Sequence, residues 1–144
     1  MNIDRTLILI KPDTIGDDTW FEILMLYVAH CIKERSAIVR YKILTLSDSV
    51  VREFYYEHRE KEYFEDLVAH MTSGPVIALE IRGPDVITSV RELNGATNPM
   101  EAETGTIRRL YGVRNLGPKN AVHGSDSPES AVRELSLIFG GESH

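Results

Sequence analysis

The residue most suited to chemistry is His123. It closes a short apolar run, Ala121-Val122, and is followed by Gly124, by the small polar residues Ser125, Asp126 and Ser127, and then by Pro128. Such a pattern presents an imidazole at a strand-to-loop corner beside a residue that lets a ligand approach closely. Imidazole is uncharged near pH 7 and is also a competent leaving group, so it can carry a phosphoryl group from one molecule to another. That chemistry needs room for three phosphate oxygens, which Gly124 can supply. It also needs an acceptor on the other ring nitrogen, so that the attacking nitrogen keeps its lone pair. Glu134, in the helix expected after the loop, is the candidate acceptor. Taken alone, a lone histidine is more often structural or on the surface, and such a glutamate more often a solvated helix carboxylate.

A phosphate-handling site also needs cations. Lys11 ends the first apolar strand, Arg91 lies on a helix before Gly95, and Arg108 and Arg109 lie in a long Gly/Pro/Asn/Thr-rich segment. Each alone reads as a surface charge, but their positions at element ends favour convergence, and guanidinium forks suit phosphate oxygens. Thr97 and Asn120 can add neutral hydrogen bonds. Among Phe54, Tyr55, Tyr56, Tyr63 and Phe64, most rings belong to a core, and one exposed ring can stack on a base. Gly105-Thr106-Ile107-Arg108 is not a Walker A loop, since no Gly-Lys-Ser/Thr follows, and no Gly-x-Gly-x-x-Gly occurs. Cys31 is the one cysteine, which excludes an internal disulfide framework and a cysteine-based zinc site. The other histidines, His30, His58, His70 and His144, are scattered rather than at ligand spacing.

The elements that must position these residues follow from periodicity. Arg5 to Lys11 reads as a central strand, apolar on both faces and stopped by Pro12, which keeps Lys11 extended. Asp17 or Asp18 can cap a helix over 19–34 with Phe21, Leu24, Val28, Cys31 and Ile32 on one face. Ile38 to Leu46 is a second strand. Ser47 caps a helix through Val50, Val51 and Phe54, and a further amphipathic piece runs from Tyr63 through Leu67 to Met71. Ser73-Gly74-Pro75 turns into a third strand, Val76 to Ile81. Gly83-Pro84-Asp85 opens a helix ended by Gly95. Asn98 to Lys119 has no long periodic pattern and reads as a functional loop. A very short fourth strand, Ala121 to His123, leads into a helix capped by Ser127-Pro128 with Ala131, Leu135 and Ile138 on one face. The order β-α-β-(αα)-β-α-loop-β-α contains the split β-α-β-β-α-β arrangement, an α+β sandwich with helices on one face of a four-stranded antiparallel sheet.

Bulk properties narrow the class. The chain has 144 residues, 42% hydrophobic and 26% charged, which fits one domain spanning 1–144. A net charge of −6 disfavours nonspecific nucleic-acid binding, while a local cluster of cations still holds a small anion. No apolar run reaches membrane-spanning length and no signal-peptide pattern is visible, so a cytoplasmic location is expected.

Five stretches, Arg5 to Asp13, Ser73-Gly74-Pro75-Val76, Gly95-Ala96-Thr97-Asn98-Pro99, Gly105 to Arg108 and Asn120 to Ser127, together resemble the nucleoside diphosphate kinase family, in family order and across nearly the whole chain. The resemblance implies a ferredoxin-like fold and a ping-pong exchange, in which ATP phosphorylates His123 and a nucleoside diphosphate then takes the phosphate. It implies that Lys11, Tyr55, Arg91, Thr97, Arg108 and Asn120 bind phosphate and sugar. Glu134 matches the carboxylate that orients the histidine, and Ser125 a residue close by. Tyr63 stands where the family usually has its base-stacking phenylalanine, with Leu67 nearby. Mg2+ held mainly by the nucleotide phosphates is implied, as is a homo-oligomer (dimer, tetramer or hexamer). The chain departs from the family pattern over Thr14 to Phe21, at Arg109-Leu110, which adds a cation, and over Gly112 to Lys119, which looks extended. The altered region after Asp13 leaves open a nucleotide-binding protein without turnover. The sheet topology alone also suits a small-molecule regulatory domain.

Overall fold

Alternation along the first strand organises the molecule. In a computed structural model, which describes residues 3–112 and 117–140, β1 (Ile3–Ile10) has Leu7, Ile8, Leu9 and Ile10 all fully buried. A strand's two-residue period sends Leu7 and Leu9 to one face and Ile8 and Ile10 to the other, so both faces must be covered. β1 is central, as expected: it pairs antiparallel with β3 (Val76–Pro84) on one side and β4 (Val122–Gly124) on the other. β2 (Ala37–Leu44) pairs with β3 at the edge, giving the order β2-β3-β1-β4.

Helices cover both faces of this sheet, not one. Leu7, Leu9, Val76 and Ala78 pack against α3 (Asp48–Phe54), α4 (Phe64–Met71) and α7 (Pro128–Phe139). Ile8, Ile10, Ile77, Leu79 and Ile81 pack against α2 (Trp20–Glu34) and α5 (Val86–Asn94). The split motif supplies α2 and α5; the inserted α3–α4 pair and the last helix supply the second layer.

Short-range chemistry explains most boundaries. Ser47 Oγ accepts from the Val50 amide at the start of α3, and Ser127 Oγ from the Ser130 amide at the start of α7, as expected of N-caps. A 3-10 turn, Tyr56–His58, joins α3 to α4. Two short helices lie where none was expected: α1 (Pro12–Gly16), with Pro12 in its first turn, and α6 (Ile107–Tyr111), capped by Thr106 Oγ accepting from the Arg109 amide. Each is 5 residues long, too short to show a 3.6-residue period.

The expected cap of α2 is also corrected. Asp17 ends α1 instead, and Asp18 takes φ +61° in the turn between the helices. The buried face of α2 is Ile23, Tyr27 and Cys31, whereas Phe21 and Ile32 are exposed. This helix carries apolar residues on more than one side, and sequence cannot choose between the sides. Part of the expected extension over 112–119, residues 113–116, lies outside the described residues, as does Gly141.

Candidate active site

The register of β4 on β1 sets His123 opposite Leu9, so its side chain lies on the face packed by α3 and α7. His123 Nε2 lies 2.8 Å from Glu134 Oε1. The same oxygen accepts from Ser125 Oγ at 2.8 Å, and Ser125 Oγ in turn accepts from the Leu7 amide at 3.0 Å. Glu134 comes from α7, whose start Ser127 fixes. Ser125 is fully buried and does not line the cleft; it clamps the carboxylate rather than facing a ligand. A carboxylate acceptor places the imidazole proton on Nε2 and leaves Nδ1 with its lone pair. The rings of Phe54 and Tyr55 stand edge-on to the imidazole, with centroids 4.9 and 6.0 Å away, which fixes its plane.

His123 opens onto a cleft of about 1290 Å³ lined also by Lys11, Arg91, Arg108, Thr97 and Asn120. Three of the four expected cations therefore converge, and Arg109 does not. Lys11 leaves β1 extended, with φ −80° and ψ 162°, and its Nζ donates to Asn120 Oδ1 at 2.7 Å and to the Pro118 carbonyl at 3.2 Å. Asn120 Nδ2 donates to the Thr97 carbonyl. Arg108, on α6, donates to the Gly95 carbonyl at 2.7 Å and the Val122 carbonyl at 2.8 Å, tying α5 to the histidine strand. Gly95 has φ +87°, and a β-carbon there would meet Thr106 Oγ1 at 2.5 Å, so only glycine ends α5 here.

These cations repel one another. Burial, and then Arg108, pull the Lys11 ammonium down to about 7, against the opposing pull of Asp13. Burial lowers Arg108 too, and Arg91 adds to the effect. The Tyr55 hydroxyl, which lines the same cleft, is buried with no hydrogen-bond partner among the described residues. Lys11, Arg91 and Arg108 beside an unpaired hydroxyl suit an anion with several acceptor oxygens, while Glu57, Glu92, Glu101 and Glu103 line other parts of the same cleft.

Tyr63 and Leu67 line the outer part of the cleft, Tyr63 half exposed at the start of α4 and Leu67 buried. The Tyr63 hydroxyl contacts His58 Nδ1. His58 also lines the cleft, and no sequence pattern marked it. Arg109 does not line the cleft; its guanidinium folds back onto the Met100 carbonyl. Gly124 lines the cleft beside His123 and has a second role. A β-carbon there would lie 2.7 Å from Asn94 Nδ2, so the glycine admits α5, whose Asn94 accepts from the Tyr27 hydroxyl. Cys31 is a buried core residue, as expected. Among the described residues no group of three or more His, Cys, Asp or Glu side chains is placed to hold a metal ion.

An antiparallel α+β sandwich with a carboxylate-oriented histidine facing a cationic cleft defines a phosphotransfer class of protein. Comparison with known proteins supplies the family. Residues 4–143 match the model of the nucleoside diphosphate kinase family. The nucleoside diphosphate kinase of Persephonella marina is 42% identical over 96% of this chain and 95% of its own length. The crystal structure of the Aquifex aeolicus nucleoside diphosphate kinase superposes with a TM-score of 0.88 at 40% identity, covering 97% of each chain. The structure of a halophilic nucleoside diphosphate kinase from Halobacterium salinarum, in complex with CDP, superposes with a TM-score of 0.85 at 35% identity, covering 96% of this chain and 89% of that one. The chain belongs to the nucleoside diphosphate kinase family, and it is an enzyme of that class.

Proposed function

We propose that the chain transfers the terminal phosphate of ATP to a nucleoside diphosphate through a phosphohistidine on His123. The observation that carries this reading is the pairing of His123 Nε2 with Glu134 at the wall of a cleft lined by Lys11, Arg91 and Arg108. In the first half-reaction the Nδ1 lone pair attacks the γ-phosphorus of ATP. The P–N bond forms as the P–O bond to the β-phosphate breaks, and ADP leaves with the bonding electrons. Glu134 holds the Nε2 proton and stabilises the positive ring. In the second half-reaction a terminal oxygen of the incoming diphosphate attacks the same phosphorus, the P–N bond breaks, and a nucleoside triphosphate leaves.

The chain's own residues bind, orient and neutralise. Lys11, Arg108 and Arg91 face the developing negative charge, and the Tyr55 hydroxyl and Asn120 supply neutral donors. Thr97 stands beside Asn120 at the sugar end. Tyr63 offers a ring face to the base, with Leu67 at the side. Mg2+, when bound, would neutralise polyphosphate charge, and it would be held by the nucleotide's phosphates rather than by a protein cage. The reading is supported by the CDP bound to the Halobacterium salinarum relative.

A second copy of the chain is the proposed partner. β2 is a sheet edge whose Tyr41 and Ile43 are 71% and 65% exposed, and α2 adds exposed Phe21, Met25 and Ile32. An edge strand with an apolar face is self-complementary under two-fold symmetry. Sedimentation of the purified chain as a monomer would remove this part of the proposal. No helix among the described residues is long and apolar enough to cross a membrane, which is compatible with the proposed cytoplasmic location.

The decisive experiment is incubation with labelled ATP. Acid-labile, alkali-stable label on wild type, absent from His123→Ala and chased by added diphosphate, is the expected result. Retained nucleotide binding without label would instead describe a binding protein lacking turnover.

A further inference from the structure

Two residues before His123 the backbone is strained. Ala121 has φ +76°, a region that a residue with a β-carbon enters at a cost. The Val122 amide donates to the Asn120 carbonyl at 2.9 Å, closing a three-residue γ-turn of the rare positive-φ kind around Ala121. The turn joins Asn120, which grips Lys11, to the strand that carries His123. It persists because its peptide groups are held on both sides. The Ala121 carbonyl accepts from the Lys11 amide at 2.9 Å. The Ala121 amide donates to Asp13 Oδ2 at 3.1 Å.

The Asp13 carboxylate is itself held. Its Oδ1 lies 2.9 Å from His70 Nε2, and the two side chains are only 4% and 8% exposed. Asp13 sits on α1 and His70 near the end of α4, so these helices brace the turn from behind. Neither residue lines the cleft that holds His123; both lie on a neighbouring cavity. Neither is therefore placed to touch a nucleotide in that cleft.

We propose that His70 is a positioning residue for His123. By donating Nε2–H to Asp13 Oδ1 it orients the carboxylate whose second oxygen holds the strained Ala121 turn, and so sets Asn120 and His123 relative to each other. The inference rests on the reading of His123 as the nucleophile. Without the donor, the carboxylate is free to rotate and the turn to relax toward ordinary φ. The Val122 carbonyl, which anchors Arg108, shifts with it. Displacement of a reacting group by about one ångström is enough to cost a hundredfold in rate.

Two variants and a suppressor test this. His70→Phe keeps the ring and removes the donor; His70→Gln puts an amide N–H close to the position of Nε2. Single-turnover phosphorylation of His123 by labelled ATP, nucleotide affinity and the thermal midpoint are measured on each. His70→Phe should lower the phosphorylation rate per folded molecule roughly ten- to a hundredfold, whereas His70→Gln stays near wild type. Ala121→Gly, which adopts φ +76° without a β-carbon penalty, should restore the rate when added to His70→Phe. If His70→Phe does not fold, His70→Asn, whose amide stops short of Asp13, replaces it in the same comparison. Equal rates per folded molecule in all variants, whatever their midpoints, would overturn the proposal and leave the pair a stabilising contact. Wild type that takes no label would sink the phosphohistidine reading instead, so the two failures are distinct.

Discussion

Two histidine–carboxylate pairs lie close to the same strand and have opposite roles. In the first, His123 Nε2 meets Glu134 Oε1 at 2.8 Å; in the second, His70 Nε2 meets Asp13 Oδ1 at 2.9 Å. In each, the carboxylate also accepts a further hydrogen bond, from Ser125 in one case and the Ala121 amide in the other. The difference lies in what surrounds the ring. His123 is 17% exposed and faces a cleft lined by Lys11, Arg91 and Arg108; His70 is 8% exposed and borders a neighbouring cavity lined by Asp13, Asp17, Asp66 and Lys119. Pairing with a carboxylate fixes a tautomer and a ring plane. Whether that ring reacts depends on whether a substrate has access to the free nitrogen and an electrostatic reason to be there.

Breaking the first pair should have the larger effect. Glu134→Ala removes the acceptor that holds the Nε2 proton and strands Ser125, and kcat for phosphate exchange should fall by roughly a hundredfold or more, read in a steady-state exchange assay. Activity near wild type would mean that the ring needs no carboxylate and would erase the distinction between the pairs. The His70 variants, acting one contact further away, belong next in size.

A milder perturbation is pH. Burial, and then Arg108, hold the Lys11 ammonium down at about 7. A bound polyphosphate favours the charged ammonium and raises that value. Between the two values binding takes up a proton, so KM for nucleotide should rise with pH above about 7, by at most about tenfold per unit for one proton. Lys11→Met should flatten the profile. A wild-type KM independent of pH from 6 to 9 would show that the ammonium is already charged without ligand. The smallest expected change is Ser127→Ala, which removes the cap of the helix bearing Glu134 and should cost about 1 kcal/mol of stability in urea denaturation, with little change in kcat.

Reading from sequence succeeds where a signal is local or periodic. The central position of β1 follows from apolar residues at odd and even positions alike. The caps at Ser47 and Ser127 follow from a side-chain oxygen at the right offset from a free amide. Element ends and the family resemblance point to the convergence of Lys11, Arg91, Arg108 and Asn120, and all four line the cleft, whereas Arg109, grouped with them by its place in the long segment, does not. Other features have no local signature. α1 and α6 are too short to show a period. The buried side of α2 depends on which of its apolar stripes meets the sheet. The second helical layer depends on where an inserted pair of helices finds uncovered apolar surface. Gly124 reads as space for a ligand and lines the cleft, but that Asn94 on α5 also requires its lack of a β-carbon has no local signature.

The amino-acid order by itself settled the alternation that makes the sheet, the residues that start its helices, and the octet that puts an imidazole after a short strand. Folding alone decided which ring nitrogen stays free, how far the Lys11 ammonium is depressed, and that Asp13 and His70 brace a strained turn. The physical reason is range. Propensity and capping act within one helical turn, whereas desolvation and carboxylate–imidazole pairing depend on side chains from distant parts of the chain that meet only once the core has closed.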